Sequence, residues 1–491
     1  MSYILVAPEA LLAVVAFVVL LLGLTSVEQR VLGWLALLAL GAATALTVWL
    51  YGTSDVLLFG SLTVDAFSQT FKLVFLAVAI LVVIASLSYY EKSRHQHEYY
   101  CLLLLATVGM MVVASSNDLA MLFVGFELAS ISTYALAAFD RNDMRSAEAG
   151  FKYFIIGALS SGIMLMGISF LYGLTGTTNL QHIAQLMGAG LTGSMTLALV
   201  LLVAGFGFKM ALVPFHMWAP DTYQGAPSVV SALLAAGSKK MGFAAAFKVF
   251  VLALIAIRTE WYLLFAVLVV LTMTYGNLVA LTQRSLKRML AYSSIAQAGY
   301  IAIGFVVIAS VADLSSEAGL FTARFALGSS MFYIMSHALM KGGAFLAVGA
   351  VAYMVLKKGK RSPFDEDDLD NFAGLSKSSP LMALCISVLM FALAGIPLTA
   401  GFMSKLLVFS SAINAGLAWL AVIAILNSAV SLWYYARVVK VMYWREPTME
   451  LGSVPRGFAL AVVLATLGTV LLGVYPGPFI QIAISAAGAL L

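Results

Sequence analysis

Two lysines sit inside apolar helices that a proline also interrupts. Lys209 lies five residues before Pro214 in LVAGFGFKMALVPFHMWAPD, and Lys405 lies eight residues after Pro397 in LMFALAGIPLTAGFMSKLLVF. Placing a lysine at the bilayer centre costs about 2.5 to 3.5 kcal/mol. A proline removes a helix hydrogen bond and strains the preceding turn. Non-helical backbone at membrane depth persists only where protein or a water-filled cavity satisfies it. Charged, broken helices of this kind point to a path for an ion.

Further titratable residues fall in the same kind of sequence. Glu127, in MLFVGFELASISTYALAAF, is deep in an apolar run, as is Glu9. An intramembrane charge usually pairs, and Lys209 is the expected partner of Glu127. Contact between them would hold the ammonium charged, and separation would favour release of its proton. The competing reading is a static ion pair that only joins two helices. Lys239 and Lys240 are consecutive in SALLAAGSKKMGF. Neighbours on a helix lie about 100° apart, so only one, Lys239, is expected to face a central path. Lys248 falls on roughly the opposite face from Lys239, and one of the three is free to snorkel to an interface. Lys341, in FYIMSHALMKGGAFL, has His337 one turn earlier on the same face. Together they could relay protons, although a lone helix histidine is often a packing residue. Lys152 lies near a helix end and either snorkels or contributes. His216 follows Pro214 and could pass protons or cap the break. His95 and His97 sit in a loop and are given no role.

These residues need membrane-spanning helices to position them. The chain has 491 residues, 62% hydrophobic and 10% charged, against about 25% charged in soluble domains. It reads as an all-α polytopic membrane protein. Spans are expected near 4–24, 31–51, 69–90, 100–115, 119–139, 149–174, 194–214, 228–256, 260–282, 290–312, 321–356, 379–415, 416–440 and 457–481. That makes about fourteen, with the two longest runs read as single bent or broken spans. Met1 to Pro8 carries no basic stretch, so the first helix is expected to be retained.

Loop charges alternate. One set holds Arg30, Lys92, Arg94, Arg141, Arg145, Arg284, Lys287, Arg288, Lys357, Lys358, Lys360, Arg361, Lys377, Lys440, Arg445 and Arg456; the other holds only Lys72, Arg258 and Arg324. The positive-inside rule makes the first set cytoplasmic and turns both termini outward, in a cell membrane. The net charge of +5 follows from those loops and is no nucleic-acid signal. The 357–378 loop mixes basic residues with Asp365, Glu366, Asp367, Asp368 and Asp370, and reads as a solvated connector or a docking surface. Cys101 and Cys385 lie in apolar runs and support neither a disulfide framework nor a cluster site. No metal site and no Gly-rich nucleotide loop is seen, so electron chemistry would belong to another chain.

The layout suggests a three-helix segment at 1–99, five-helix repeats at 100–256 and 257–445, and a last helix in 446–491. The fourth span of each repeat is the one broken, at Pro214 and Pro397. A five-span unit is odd, so its second copy must insert upside down. Inverted repeats with discontinuous helices mark the binding site of many transporters.

The stretches GFGFKMALVPFHMWAPDTYQGAPSVVSALLAAGSKKMGF, SLKRMLAYSSIAQAGY and AGIPLTAGFMSKLLVF resemble the antiporter-like subunits of respiratory complex I, and within them the subunit N branch, the counterpart of mitochondrial subunit 2. The similarity spans about residues 100–440. It implies fourteen helices with two inverted five-helix repeats. It also implies proton-carrying roles for Glu127 on the fifth helix, Lys209 on the seventh, Lys239 (the lysine that follows a serine) on the eighth and Lys405 on the twelfth. The segment SHALMKGGAFL, with Lys341, is more similar to the L and M subunits and to sodium–proton antiporter subunits. That departure points to a divergent complex, one oxidising a reduced deazaflavin or ferredoxin in place of NADH.

The expected function is therefore proton translocation in the membrane arm of a complex I-type NADH:quinone oxidoreductase. Glu127, Lys209, Lys239, Lys341, Lys405, His337, Lys152 and His216 are its candidate residues. The expected partners are other antiporter-like subunits, small membrane subunits, the lipid bilayer and a peripheral redox arm. FMN, iron–sulfur clusters and quinone would sit in those partner subunits, and no cofactor on this chain. The alternative is a subunit of a multisubunit cation–proton antiporter with no redox partner.

Overall fold

A computed structural model describes residues 2–187, 193–357, 366–447 and 452–491. Residues Lys358, Lys360, Arg361 and Asp365 of the mixed-charge loop lie outside this range. Helices begin where a polar side chain can take the free amides of the first turn. Asp65 and Ser68 form a capping box at α3 (Ala66–Tyr89). Asp118 opens α5 (Leu119–Ala137), Asp143 opens α6 (Met144–Thr175), and Ser285 opens α13 (Leu286–Ser310).

The other long helices are α1 (Ala7–Leu22), α2 (Gln29–Trp49), α4 (Gln96–Ser115), α8 (Gly193–Met210), α12 (Arg258–Thr282), α14 (Glu317–Lys357), α18 (Ala418–Trp444) and α19 (Arg456–Val474). Among the described residues, 12 helices are long and apolar enough to cross a membrane. A composite element over 228–253 and the pair α16 (Pro380–Ala394) and α17 (Ala400–Asn414) complete the fourteen spans expected from sequence. Short helices α7 (Leu180–Leu186), α9 (Trp218–Gly225) and α15 (Leu375–Ser378) lie in the connections. A small hairpin, β1 (Asp55–Leu57) with β2 (Leu62–Val64), caps the end opposite the basic loops.

The centre of the bundle is the composite element together with α13 and α14. The composite runs through α10 (Ser228–Leu233), a π-helical stretch Leu234–Ser238, α11 (Lys239–Ala246) and a second π-helical stretch Phe247–Ala253. Every residue from 228 to 251 is buried. In α13, 94% of the apolar window is buried, against 33% in α1 and α18, so the former is core and the latter are periphery. A helix buried on all sides must satisfy its polar side chains inside the protein.

Both proline breaks are present. α8 ends at Met210, Ala211 adopts a left-handed φ of 55°, and the backbone is irregular up to α9. Val213 N–H there donates to Thr272 Oγ1 at 2.9 Å. α16 ends at Gly395, whose φ is 91°. α8 begins opposite the basic loops and α16 begins among them, so the two broken helices run in opposite senses. α14, expected to bend or break, is one continuous helix of 41 residues. The last span does break: after Val474 a separate helix, α20 (Gly477–Gly488), continues along α14, with Ile484 meeting Gly328.

The acidic half of the 357–378 loop is a clasp and not a free connector. Glu366 binds Arg145 at 3.1 Å, Asp367 accepts from Ser285 and from Lys287 N, and Asp370 binds Arg284 at 2.9 Å and Arg445 at 2.7 Å. Burial raises Asp367 above the usual carboxylate range, with Lys287 and Ser285 opposing that rise. The basic loops therefore gather on one side around these acids.

Gly395 combines a left-handed φ with a missing side chain that would lie 2.9 Å from Lys405 Cδ. Gly176, also left-handed at 69°, has open space instead. Gly176→Ala should cost about 1 to 2 kcal/mol from backbone strain alone, and Gly395→Ala clearly more, read as a larger drop in thermal unfolding midpoint. Equal drops would refute the packing role of Gly395.

Candidate functional site

The last four carbonyls of a helix have no intrahelical donor, and a cation is favoured there. Lys405 uses both facts. Its Nζ donates to Leu393 O at 3.1 Å and Ala394 O at 2.7 Å, at the carbonyl end of α16, and to Ser428 Oγ of α18 at 2.8 Å. Its partners therefore come from the break itself.

Lys209, at the carbonyl end of α8, is held differently. Nζ donates to Ser130 Oγ at 2.9 Å and Tyr153 OH at 3.2 Å. The rings of Phe126, Tyr153 and Tyr134 surround it at 5.3, 5.5 and 5.9 Å. Trp218 stacks on Tyr153 at 4.6 Å, and its Nε1–H ties Phe208 O across the break at 2.7 Å. The expected Glu127–Lys209 ion pair is not formed. Glu127 instead accepts from Ser161 Oγ at 2.5 Å. It is half-buried on α5 between Val124 and Ile131, which are 61% and 60% exposed. Hydroxyls and ring faces have taken the ammonium, and the carboxylate lies toward the flank of the bundle.

Lys239 and Lys240 both face the interior, which corrects the expectation that only one would. Lys239 Nζ donates to Ser294 O at 3.1 Å and Ser294 Oγ at 3.0 Å, beside the Tyr223 ring. Lys240 Nζ is in hydrogen-bond contact with His337 Nδ1. The 100° argument fails because this element has protein on every side, so neighbouring side chains find different internal partners. Lys248 is also buried and does not snorkel: it donates to Ser116 O at 2.8 Å and lies over the Phe67 ring.

Lys341 donates to Ser293 Oγ at 2.7 Å and Leu290 O at 3.3 Å. Ser293 bonds Tyr435 OH, which Gln297 Nε2 reaches at 3.5 Å. Gln297 Nε2 donates to Leu393 O at 3.1 Å, the carbonyl that Lys405 also binds, and Tyr333 OH donates to Gln297 Oε1. A hydrogen-bonded line thus joins Lys341 to Lys405. Adjacent serines 293 and 294 bind Lys341 and Lys239, so the same helix links the two lysines.

The remaining candidates lie toward the basic loops. His216 is buried edge-on to Tyr275 at 4.7 Å, with neither ring nitrogen bonded to protein. Thr222 Oγ1, Tyr223 OH, Ser238 Oγ and His337 Nε2 are likewise buried without a protein partner. Lys152 is partly exposed and sits in an ion cluster, with Glu148 at 2.7 Å and Asp221 at 2.9 Å, while Arg288 holds Asp221 at 2.7 Å. It is not brought into the central line.

Sequence reasoning missed several residues. Ser293 and Gln297 are four apart on α13, a spacing visible in SLKRMLAYSSIAQAGY, but nothing in sequence marks Tyr435. Glu9 and Lys72 form a buried ion pair at 2.7 Å. Lys72 had been grouped with the loops, yet asking for a partner to Glu9 would have found it. Among the described residues no group of three or more His, Cys, Asp and Glu could hold a metal ion.

Oppositely running broken helices, each with a buried lysine at its carbonyl end and joined by a core of further lysines, define an antiporter-like membrane subunit. The chain belongs to the NADH:quinone oxidoreductase/Mrp antiporter transmembrane family, whose model matches residues 116–431. It is 53% identical to F(420)H(2) dehydrogenase subunit N of Methanosarcina mazei, covering 98% of this chain and 97% of that one. It is 40% identical to NADH-quinone oxidoreductase subunit N of Trichlorobacter lovleyi, covering 97% and 95%. A chain of respiratory complex I from Thermus thermophilus superimposes with a TM-score of 0.80 at 33% identity, over 96% of this chain and 98% of that one.

Breaking a buried ion pair by removing one partner costs about 3 to 5 kcal/mol. Glu9→Gln and Lys72→Met should each destabilise the purified chain by about that much, and the double variant by clearly less than the sum. Additive losses in the denaturation midpoint would show that the pair is not coupled.

Proposed function

We propose that this chain carries protons across the membrane in the membrane arm of a complex I-type oxidoreductase, driven by electron transfer in partner subunits. The hydrogen-bonded line from Lys341 through Ser293, Tyr435 and Gln297 to Lys405 is the observation that carries this reading. The hydroxyls of Ser293 and Tyr435 can each accept and donate a proton. Gln297 Nε2, which donates to Tyr435 OH and to Leu393 O, holds the two ends in register, and water completes the transfer to Lys405. Protons enter from the cytoplasmic side, where the basic loops lie, with both termini outside. They pass His216 and the buried polar atoms around Tyr223, with water joining them, and reach Lys239. Lys240 and His337 share one proton, because an N–H···N bond needs a lone pair on one partner. Lys341 passes the proton toward Lys405 and the outer side. Segments 100–256 and 257–445 act as inverted units around this path, flanked by 1–99 and 446–491.

Glu127, half-buried at the flank, answers to the charge of a neighbouring subunit, and Ser130, which binds Lys209, lies one turn along the same helix. Lys152 with Asp221 and Arg288 forms an ionic rim at the cytoplasmic end. Other antiporter-like and small membrane subunits sit alongside in the cell membrane. FMN, iron–sulfur clusters and quinone belong to the partner subunits. The higher identity to an F(420)H(2) dehydrogenase subunit than to an NADH-quinone oxidoreductase subunit supports a reduced deazaflavin as donor. Near full-length relatives in redox complexes favour this reading over an antiporter without a redox partner.

Gln297→Leu removes the link between Tyr435 and Leu393 O. A hydrogen bond lost from the transfer path, at about 1.4 kcal/mol, should slow proton transport about tenfold, measured as dye-reported pumping by the purified complex in vesicles. Lys405→Met should abolish pumping, and Glu127→Gln should lower pumping and coupled quinone reduction together. Wild-type pumping in both Gln297→Leu and Lys405→Met would refute the path.

A further inference from the structure

A groove of about 620 Å³ opens along α18 at the basic side, lined by Phe391, Trp433, Arg437, Lys440, Trp444 and Arg445 among others. Trp433, Arg437, Lys440 and Trp444 follow one another at intervals of four, three and four, so they form one stripe of the helix. At 1.5 Å per residue that stripe is about 16 Å long. Trp433 and Trp444, at its ends, are 71% and 75% exposed. The cations between them are unevenly compensated. Arg445 is bound to Asp370 at 2.7 Å. Among the described residues Arg437 binds only neutral carbonyls, Leu281 O at 3.2 Å and Gln283 O, and its Nε is buried without a partner. Lys440 is exposed and, among the described residues, binds no acid.

We propose that this groove is a binding site for an anionic phospholipid, whose headgroup sits between Arg437 and Lys440 while an acyl chain follows Phe391 and Trp433 into the bilayer. Arg437 caps the carbonyl end of α12 and Lys440 binds no acid among the described residues, so the groove keeps a net positive charge with no carboxylate in its lining, and basic pockets at this depth suit lipid headgroups. The apolar wall continues past the cations toward the membrane interior, so the ligand must be amphiphilic, which a free phosphate is not. Snorkelling explains an arginine or lysine near an interface. It does not explain an exposed tryptophan, Trp433, about 6 Å beyond Arg437 and about 10 Å beyond Lys440 on the same stripe, or a guanidinium nitrogen left buried and unpaired. The opposite face of α18 carries Tyr435 and Ser428, partners of the line between Lys341 and Lys405, so the lipid would brace the helix that holds them.

The full-length chain can be tested in phosphatidylcholine vesicles containing either brominated phosphatidylglycerol or brominated phosphatidylcholine. Quenching of Trp433 and Trp444 is obtained by subtracting the signal of Trp433→Phe/Trp444→Phe, since the chain has 7 tryptophans. The anionic lipid should win by about fivefold for each uncompensated charge. Lys440→Glu, a surface change, should remove most of that preference and leave quenching by phosphatidylcholine intact. Equal quenching by both headgroups, or an unchanged preference in Lys440→Glu, overturns the site. In the intact complex a photo-crosslinker at Ala436 should label lipid. Labelling of a neighbouring protein subunit instead would overturn the proposal and assign the groove to that partner.

Discussion

An ammonium group at membrane depth needs oxygen acceptors, and the structure is organised around supplying them without carboxylates. Lys209, Lys239, Lys341 and Lys405 bind serine and tyrosine hydroxyls and backbone carbonyls. Lys240 binds a histidine. Among the described residues, the ion pair that is buried on both sides is Glu9–Lys72, away from this line. A carboxylate partner would fix each lysine in its charged form, whereas a hydroxyl or carbonyl stabilises the cation while leaving its proton exchangeable. Neutral acceptors are what the proposed path depends on.

The proline breaks follow from the same need. A continuous helix uses its carbonyls on itself and has none to offer. Interrupting α16 at Gly395 frees Leu393 O and Ala394 O, and Lys405, placed by the next helix, takes them. Leu393 O also accepts from Gln297, so one freed carbonyl joins the break to the central helices. The π-helical turns on either side of Lys239 and Lys240 belong to the same pattern, since irregular helix geometry recurs at functional positions. Around this core the acids of the 366–370 segment tie the basic loops together and hold the ends of α6, α13 and α18 in register.

The fourteen spans, the two breaks and the principal lysines were legible because charge and proline stand out against long apolar runs. Partners were less legible. The proposed pairing of Glu127 with Lys209 rested on opposite charge alone, and sequence does not reveal that Tyr153 and Ser130 reach the ammonium first. Lys240 was set aside by helical angle, an argument that holds only for a helix with one buried face. Tyr435 comes from a span more than a hundred residues away, and no local pattern marks it. Lys72 was visible in the sequence but was assigned to a loop because it lies near a helix start.

The two breaks look alike in sequence and differ in what they do to their lysines. Lys405 has two backbone carbonyls at 2.7 and 3.1 Å, besides the Ser428 hydroxyl at 2.8 Å and the Tyr300 ring at 5.4 Å, so its ammonium is anchored by main-chain acceptors. Lys209 has two hydroxyls and three ring faces, all on side chains that can rotate, with Glu127 one turn from Ser130 on the same helix. Ring faces attract a cation more weakly than fixed carbonyl dipoles at hydrogen-bond distance. A change of charge near Glu127 would therefore move Lys209 more readily than Lys405. In the proposed path, that asymmetry sets a responsive lysine beside the flank against a fixed one at Lys405.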